Sequence, residues 1–448
     1  MRPVFRTCLS LLAAFCLTAW PSPAMPAGFA IKNQSGLAQA NAFAGATAGA
    51  ESIGYMFFNP AGLTRHHGHL TEIGTAYLVP RVRFEDGSAS TVLASPIAGA
   101  SAQGDVADDA LVPSVYVMAS LGETWRAALG INAPFGQKTT YDPDWIGRYH
   151  ARRSELSTVN INPTFAWRPG PSLSVGAGLQ VQHIETELSN AIDFGTIGAA
   201  AGVPGAVPTA QDGEASVEGD DWAIGYNLGI LWSPKPATRF GIAYRSRLEH
   251  SLRGRARFTR DQAGIADALA ASTGRFVDSN SSAEATLPAT LSVGAYHDID
   301  AHWAIMGEIA WTSWSDFDEL RISFDNPNEP DNVTELAFND TIFAAVGVAW
   351  TPNDAWSVRG GFAFDQGATR DRFRTPRLPG GDRYWLSAGV SYTPAAWLQL
   401  GVSATRIFVE DSDIALTTDG PGNQFRGNIS GTVEADIDTI AFAAALQF

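Results

Sequence analysis

From about residue 68 onward, large apolar residues alternate with small or polar ones at a period of two, the signature of strands and not of helices. In residues 222–232, Trp222, Ile224, Tyr226, Leu228, Ile230 and Trp232 alternate with Ala223, Gly225, Asn227, Gly229 and Leu231. The last residues repeat the design, with Ile440, Phe442, Ala444, Leu446 and Phe448 on one face and Thr439, Ala441, Ala443, Ala445 and Gln447 on the other. A soluble sandwich or propeller would turn its large apolar face inward and show a charged face to water. Here the second face is small or uncharged, and aromatics sit at the ends of the apolar face. That pattern predicts an all-β protein, a transmembrane antiparallel β-barrel with apolar residues outward and aromatic girdles at both interfaces.

About fourteen strands are predicted, and their connections alternate short and long as in bacterial barrels. The short ones are SLGET (120–124), RPGPS, SPKPA, DIDA (298–301), TPNDA and TPAA. Several set a proline turn between aromatics, as in WTPNDAW (350–356) and YTPAAWL (392–398). Proline fixes the turn backbone where no ladder hydrogen bond is needed. The long connections fall near 84–108, 135–151, 189–214, 257–283, 325–334, 366–381 and 411–430.

The start of the chain sets the compartment. Arg2 and Arg6 precede the apolar run from Leu9 to Leu17, which PSPAMPA follows. This is the layout of a secretory signal peptide over residues 1–27, cleaved after Ala24 or Ala27. Both cysteines, Cys8 and Cys16, lie in it, so the mature chain has neither disulfides nor thiol chemistry. A formal charge of −16 argues against nucleic acid as a partner. Residues 28–66 lack strand alternation and are rich in Ala and Gly; they read as a hatch, or plug, inside the lumen of a barrel over 67–448.

Several motifs, in order, resemble the outer-membrane long-chain fatty-acid transporter family, the FadL type that also includes aromatic-hydrocarbon transporters. They are GFAIKNQSGLAQANAFAGATA with FFNPAGL and its Asn59-Pro60-Ala61, INAPFG (131–136), DWIGRYHARRSELSTVNINPTFAW (144–167), LPATLSVGAY (287–296), EIAWTSWSDF (308–317) and TPRLPGGDRYWLSAGVSY (375–392). The resemblance implies a monomeric Gram-negative outer-membrane barrel, embedded among outer-membrane lipid. It would take up long-chain fatty acids passively, or neutral aromatic and aliphatic hydrocarbons by the same route. It also implies capture in a groove between two extracellular loops, transfer to a lumenal pocket and lateral exit at a kinked strand. No catalytic residue, metal or cofactor is expected.

On those expectations the apolar loop 189–214 supplies the groove, lined by Ile192, Phe194, Ile197, Val203 and Val207. A short amphipathic helix in DQAGIADALAAST faces it. Phe29, Tyr55, Phe57, Phe58, Asn59, Pro60 and Ala61 are the hatch and pocket candidates, serving either ligand contact or packing against the wall. Gly130, Pro134 and Gly136 in the third strand are candidates for the lateral gap, because Pro134 lacks a donor and glycines weaken pairing. In the seventh strand Arg245, Arg247, Glu249, Arg253, Arg255 and Arg257 share one parity, which places them in the lumen or above the bilayer. Arg245 and Arg247 are candidates for a headgroup carboxylate; the alternative is a ladder of ion pairs with Glu185, Glu187 and Glu249. Where the family would suggest a basic residue after LSVGAGLQVQ, this chain has His183, Glu185 and Glu187. Rival classes are a lipid hydrolase on a barrel, which would need a serine–histidine constellation, and a general porin, which would carry no hatch.

Overall fold

The computed structural model describes residues 28–448; the expected signal peptide lies outside the described residues. Twenty ladder segments join into a closed antiparallel barrel of fourteen strands. In chain order these are β1 (His69–Ser90), β2 (Ala110–Leu121), β3 (Trp125–Asn132 and Gly136–Thr140), β4 (Arg153–Gly170) and β5 (Leu173–Asp193). Then follow β6 (Asp212–Lys235), β7 (Thr238–Arg245 and Leu248–Thr259), β8 (Ser279–Leu287 and Thr290–Asp298) and β9 (Trp303–Thr312 and Glu319–Phe324). The last five are β10 (Asn332–Glu335 and Thr341–Asn353), β11 (Trp356–Asp365), β12 (Arg383–Ala395), β13 (Leu398–Val409 and Ser412–Leu416) and β14 (Asn428–Gln447). Closure is made by β1 against β14, paired from Leu70↔Gln447 to Ser90↔Asn428 with one register shift between Glu85 and Ser88.

The alternation read from the sequence is the alternation of the wall. Ile224, Leu228 and Ile230 of β6 and Ile440 and Phe442 of β14 point outward, while Ala223, Leu231, Ala441 and Ala443 are buried. At the short-turn rim aromatics stack across neighbouring strands: Trp125 on Trp167, Trp232 on Phe240, Trp303 on Trp350 and Trp356 on Tyr392. Each pair occupies directly opposed ladder positions or their immediate neighbours, where aromatic contacts stabilise a sheet beyond their area. The proline turn between Trp350 and Trp356 is closed by the Asn353 carboxamide, which accepts from the amides of Ala355 and Trp356 at 3.0 and 3.1 Å.

Residues 28–65 lie inside the barrel and are buried almost throughout. They form a helical turn, α1 (Gly36–Gln39), and two 3-10 turns, Ile53–Phe57 and Pro60–Arg65. Contact with the wall is so close that only glycine fits opposite. A Cβ on Gly361 would lie 2.1 Å from the Asn41 carbonyl oxygen, and one on Gly241 would lie 2.0 Å from that of Thr47. The small residues of this segment and the inward glycines of the strands are therefore two halves of one packing solution. Two further helices belong to the long loops, α2 (Phe194–Ala200) and α3 (Ile265–Thr273).

Candidate ligand site

In the half of the lumen nearer the long loops lies a narrow cavity of about 100 Å³. Phe29, Leu156, Leu252, Ala285, Phe317 and Leu336 supply much of its apolar wall. Phe29 and Phe317 belong to an aromatic cluster that backs the cavity: the Phe29 ring meets Trp314 edge-on at 4.9 Å and Phe317 at 5.6 Å, with Phe135 at 6.1 Å. On the loop side the cavity meets a second, polar pocket of about 170 Å³, and Thr334, Thr375 and Arg377 line both.

Arg377 is the residue that sequence reasoning missed. It lies in the TPRLPGG segment, clamped to the top of β3 by Gln137, whose side chain donates to the Arg377 carbonyl, and by Tyr141, whose hydroxyl donates to the Pro376 carbonyl at 2.8 Å. The guanidinium donates to the carbonyls of Arg153 and Ser189 at 2.8 and 2.9 Å and to the Ser154 hydroxyl at 2.8 Å. Its Nε–H and one Nη2 hydrogen have no partner among the described residues. Arg426, in the loop before β14, donates to the Thr334 hydroxyl at 3.2 Å and to the Asn332 carboxamide. Among the described residues neither arginine has a carboxylate within ion-pair distance. Burial pushes the Arg377 guanidinium down to about 9, with the charge of Arg426 adding to the effect, and pushes Arg426 down to about 10. Both stay charged at neutral pH. His150 lines the same pocket; burial pushes it down to about 3, so it is neutral there. The signal available in the sequence was an arginine between two prolines in a loop of the family-like motif, which charge parity along strands does not reach.

The residues singled out in the sequence divide. Phe29 lines the cavity. Tyr55, Phe57 and Phe58 instead pack with Phe43, Phe58 lying 5.6 Å from Phe43 and 5.1 Å from Phe57, in the half of the lumen toward the short turns. Asn59 caps the second 3-10 turn: its Oδ1 accepts from the Ala61 amide at 3.0 Å, and its Nδ2 donates to the carbonyls of Thr47 and Ile230 at 2.7 and 3.0 Å. Pro60 opens that turn, and Gly176 and Gly229 leave room for Asn59, Pro60 and Ala61 against the wall. This motif is packing.

The expected groove is folded shut on itself. Phe194 is fully buried against Phe276, at 5.0 Å, and against Ile265 and Leu269 of α3, with Ile192, Ile197 and Val203 packed around them. Only Val207 of the five is exposed. The two loops do meet, but as a shared small core.

The arginine row is corrected. Its single parity assumed an unbroken strand, and β7 is broken at Ser246–Arg247, after which the inward face passes to Leu248, His250 and Leu252. Arg245 points into the lumen, where it donates to the Phe57 carbonyl at 3.0 Å and to Gln180 at 2.5 Å and lies 4.2 Å over the Phe57 ring. It is occupied by the N-terminal segment. Arg247 is outside, paired with Glu249 at 2.9 Å. Glu187 is also on the outer face, paired with Arg153 at 3.1 Å, so no lumenal ladder joins these groups.

The third strand is interrupted at Ala133–Phe135, with Pro134 at its centre and Gly136 restarting the ladder. Gly130 lies below the break, in register with both Tyr116 and Asn162. It is no part of the gap; it accommodates the Tyr116 ring, which a Cβ would approach to 3.1 Å. The N-terminal segment fills the break: the Ile31 amide donates to Pro134, the Gly136 amide donates to Phe29, and the Gln34 carboxamide donates to Ala133.

A family model described as outer membrane protein transport protein (OMPP1/FadL/TodX) matches residues 17–448. The chain belongs to this family. FadL/TodX proteins are outer-membrane transport proteins, and this one is a Gram-negative outer-membrane barrel of that type. A long-chain fatty acid transport protein of Escherichia coli O6:H1 is 27% identical over 384 residues, covering 82% of this chain and 84% of its own. Among solved structures, a FadL homologue of Pseudomonas aeruginosa superposes with a TM-score of 0.86 at 22% identity, over 94% of this chain and all of that one. The toluene transporter TbuX of Ralstonia pickettii superposes with a TM-score of 0.67 at 18% identity, over 93% of this chain and 99% of its own. At those identities the likeness is one of fold.

Proposed function

We propose that this FadL/TodX protein carries hydrophobic compounds passively across the outer membrane, with long-chain fatty acids as its ligands. The observation that supports this reading is a half-buried guanidinium, Arg377, at the junction of an apolar cavity and a polar pocket, with no acidic partner among the described residues. An acyl chain in the cavity gains roughly 0.8 kcal/mol for each methylene removed from water. A carboxylate on the free Nε–H and Nη2–H of Arg377, with Arg426 behind it, relieves the cost of holding two partly desolvated cations. Residues 28–65 act as the hatch, and the break at Ala133–Phe135 is the candidate lateral exit, sealed in this state by Phe29, Ile31 and Gln34. The loop pair α2–α3 opens to capture ligand.

Neutral hydrocarbons are the second reading, favoured by the largely apolar cavity wall and the Phe29 and Phe317 rings in it, which would hold a flat ring with no headgroup contact. The deciding experiment is uptake of labelled oleate and labelled toluene in parallel, in a bacterial strain lacking its own fatty-acid channel. Arg377→Met should weaken oleate binding by about tenfold or more, since a hydrogen bond to a charged group is worth roughly 1.5–3 kcal/mol. Toluene uptake should be unchanged. Oleate binding indifferent to Arg377 would remove the headgroup assignment and move the ligand to neutral hydrocarbons.

A further inference from the structure

A second break interrupts the wall, between β8 and β9. The lower ladder pairs Thr290–Asp298 with Ala304–Thr312, and the upper one pairs Ser281–Ala283 with Ile322–Phe324. From Thr290↔Thr312 to Ala283↔Ile322, β8 advances seven residues and β9 ten. The surplus is a built feature of β9. Residues Trp314–Asp316 form a 3-10 turn, with the Ser313 hydroxyl donating to Asp316 at 2.8 Å and accepting from the Ala289 amide at 3.0 Å. The Ser315 amide donates to Asp340 at 3.0 Å. The turn sends Trp314 and Phe317 inward and leaves Ser315 and Asp316 exposed.

On the inner side of this break stand Ala283, Ala285, Phe317 and Leu320, all lining the apolar cavity. On its outer side is a depression of about 630 Å³ in the barrel surface, lined by Ala289, Ser313, Ser315 and Asp316, with Tyr226, Tyr244 and Trp311 around it. The two hollows therefore back onto the same stretch of wall, where the only backbone hydrogen bond between β8 and β9 among the described residues runs from the Ser313 amide to the Ala289 carbonyl at 3.0 Å and no ladder between the two strands spans residues 284–289. Polar lining fits the depth of the site. Backbone left unpaired in hydrocarbon is costly, whereas at the interface, marked here by Trp311 and the two tyrosines, water and hydroxyls satisfy it.

We infer that the β8–β9 break is a second lateral port, through which membrane-partitioned amphipathic chains pass between the outer leaflet and the cavity. The inference rests on the transport reading above. The acyl chain slips between the small residues Ala285 and Ala289 and the Phe317 ring, which swings aside, while the headgroup stays at the interface beside Ser315 and Arg247, the one cation of a rim that also carries Glu249, Asp316 and Asp340. The step is diffusion, with no bond made or broken.

The first test uses the full chain folded in lipid and a long-chain fatty acid carrying a diazirine, with adducts mapped by peptide mass. Adducts on Ala289 and Ser313–Asp316, together with cavity residues, are expected. Adducts in the cavity and at Ala133–Phe135 alone would overturn the port and leave the transport reading standing. No adduct anywhere would overturn both. The second test is Ser315→Cys, clean because the only cysteines, Cys8 and Cys16, precede residue 28. A bulky maleimide at that position should lower initial oleate uptake severalfold, while the same reagent on Val346→Cys, on the outer face of β10, should not. Equal uptake by the two labelled proteins would rule the port out.

Discussion

Arg377 and Arg245 show how differently a lumenal arginine can be employed. Arg245 has a hydrogen-bonding carbonyl, a carboxamide and an aromatic face, all from its own chain, and so holds the N-terminal segment in place. Arg377 has three acceptors and two idle hydrogens facing a cavity. Because both pocket arginines stay charged at neutral pH and His150 is held neutral, down at about 3 instead of its usual 6.5, carboxylate binding should show no histidine-like inflection between about pH 6 and 8. Oleate binding followed across that range checks it; an inflection near the ordinary histidine value would mean that His150 titrates in the site. Glycine positions carry the opposite lesson, since there the absence of a side chain is the function. Gly361→Ala would drive a methyl group into the Asn41 carbonyl, so the N-terminal segment must shift. Single-channel recording should then find raised conductance, with the barrel itself still folded.

Among elements, regular strands were legible in the sequence and irregular ones were not. β6 and β14 present the faces that alternation assigns to them, because neither strand carries an irregularity of its own there: β6 runs in one register against β5 from Leu173↔Trp232 to Asp193↔Asp212, and β14 does so against β13 from Leu398↔Leu446 to Phe408↔Asp436. β7 was misread beyond Ser246 because a one-residue irregularity moves every later side chain to the other face, and nothing in RSRLEHSLRGR marks where it occurs. The bulge in β9 did leave a trace. Trp311 and Trp314 are three apart, which places them on opposite faces of a strand, and the Ser-Asp after the second tryptophan is turn chemistry. The loop helix α3 was legible from its composition, its first turn being capped by Asp261, which accepts from the amides of Ile265 and Ala266 at 3.2 and 2.6 Å. What composition could not tell was whether the apolar loop 189–214 stayed open. Phe194 at its centre is the anchor of the closed form. Truncating a buried phenylalanine costs about 3–5 kcal/mol, so Phe194→Ala should release the loop pair. Limited proteolysis should cut within 194–211 much faster, and oleate capture should fall.

For the whole molecule, the order of the parts along the chain bears on how the protein is assembled. The β1–β14 ladder joins the first strand to the last, so the longest-range strand pairing among the described residues is also the one that closes the sheet. Contacts of that separation form late, and until they do, β1 and β14 are bare edges that lipid cannot satisfy. The N-terminal segment precedes β1 yet ends up enclosed, pressed against β5, β6, β11 and β13 at glycines with no clearance to spare. A finished barrel offers it no route past such contacts. The sheet must curl around a core that is already present. The segment is thus a mandrel for the closing wall, and the rate of closure, as much as the tightness of the finished channel, is written into residues 28–65.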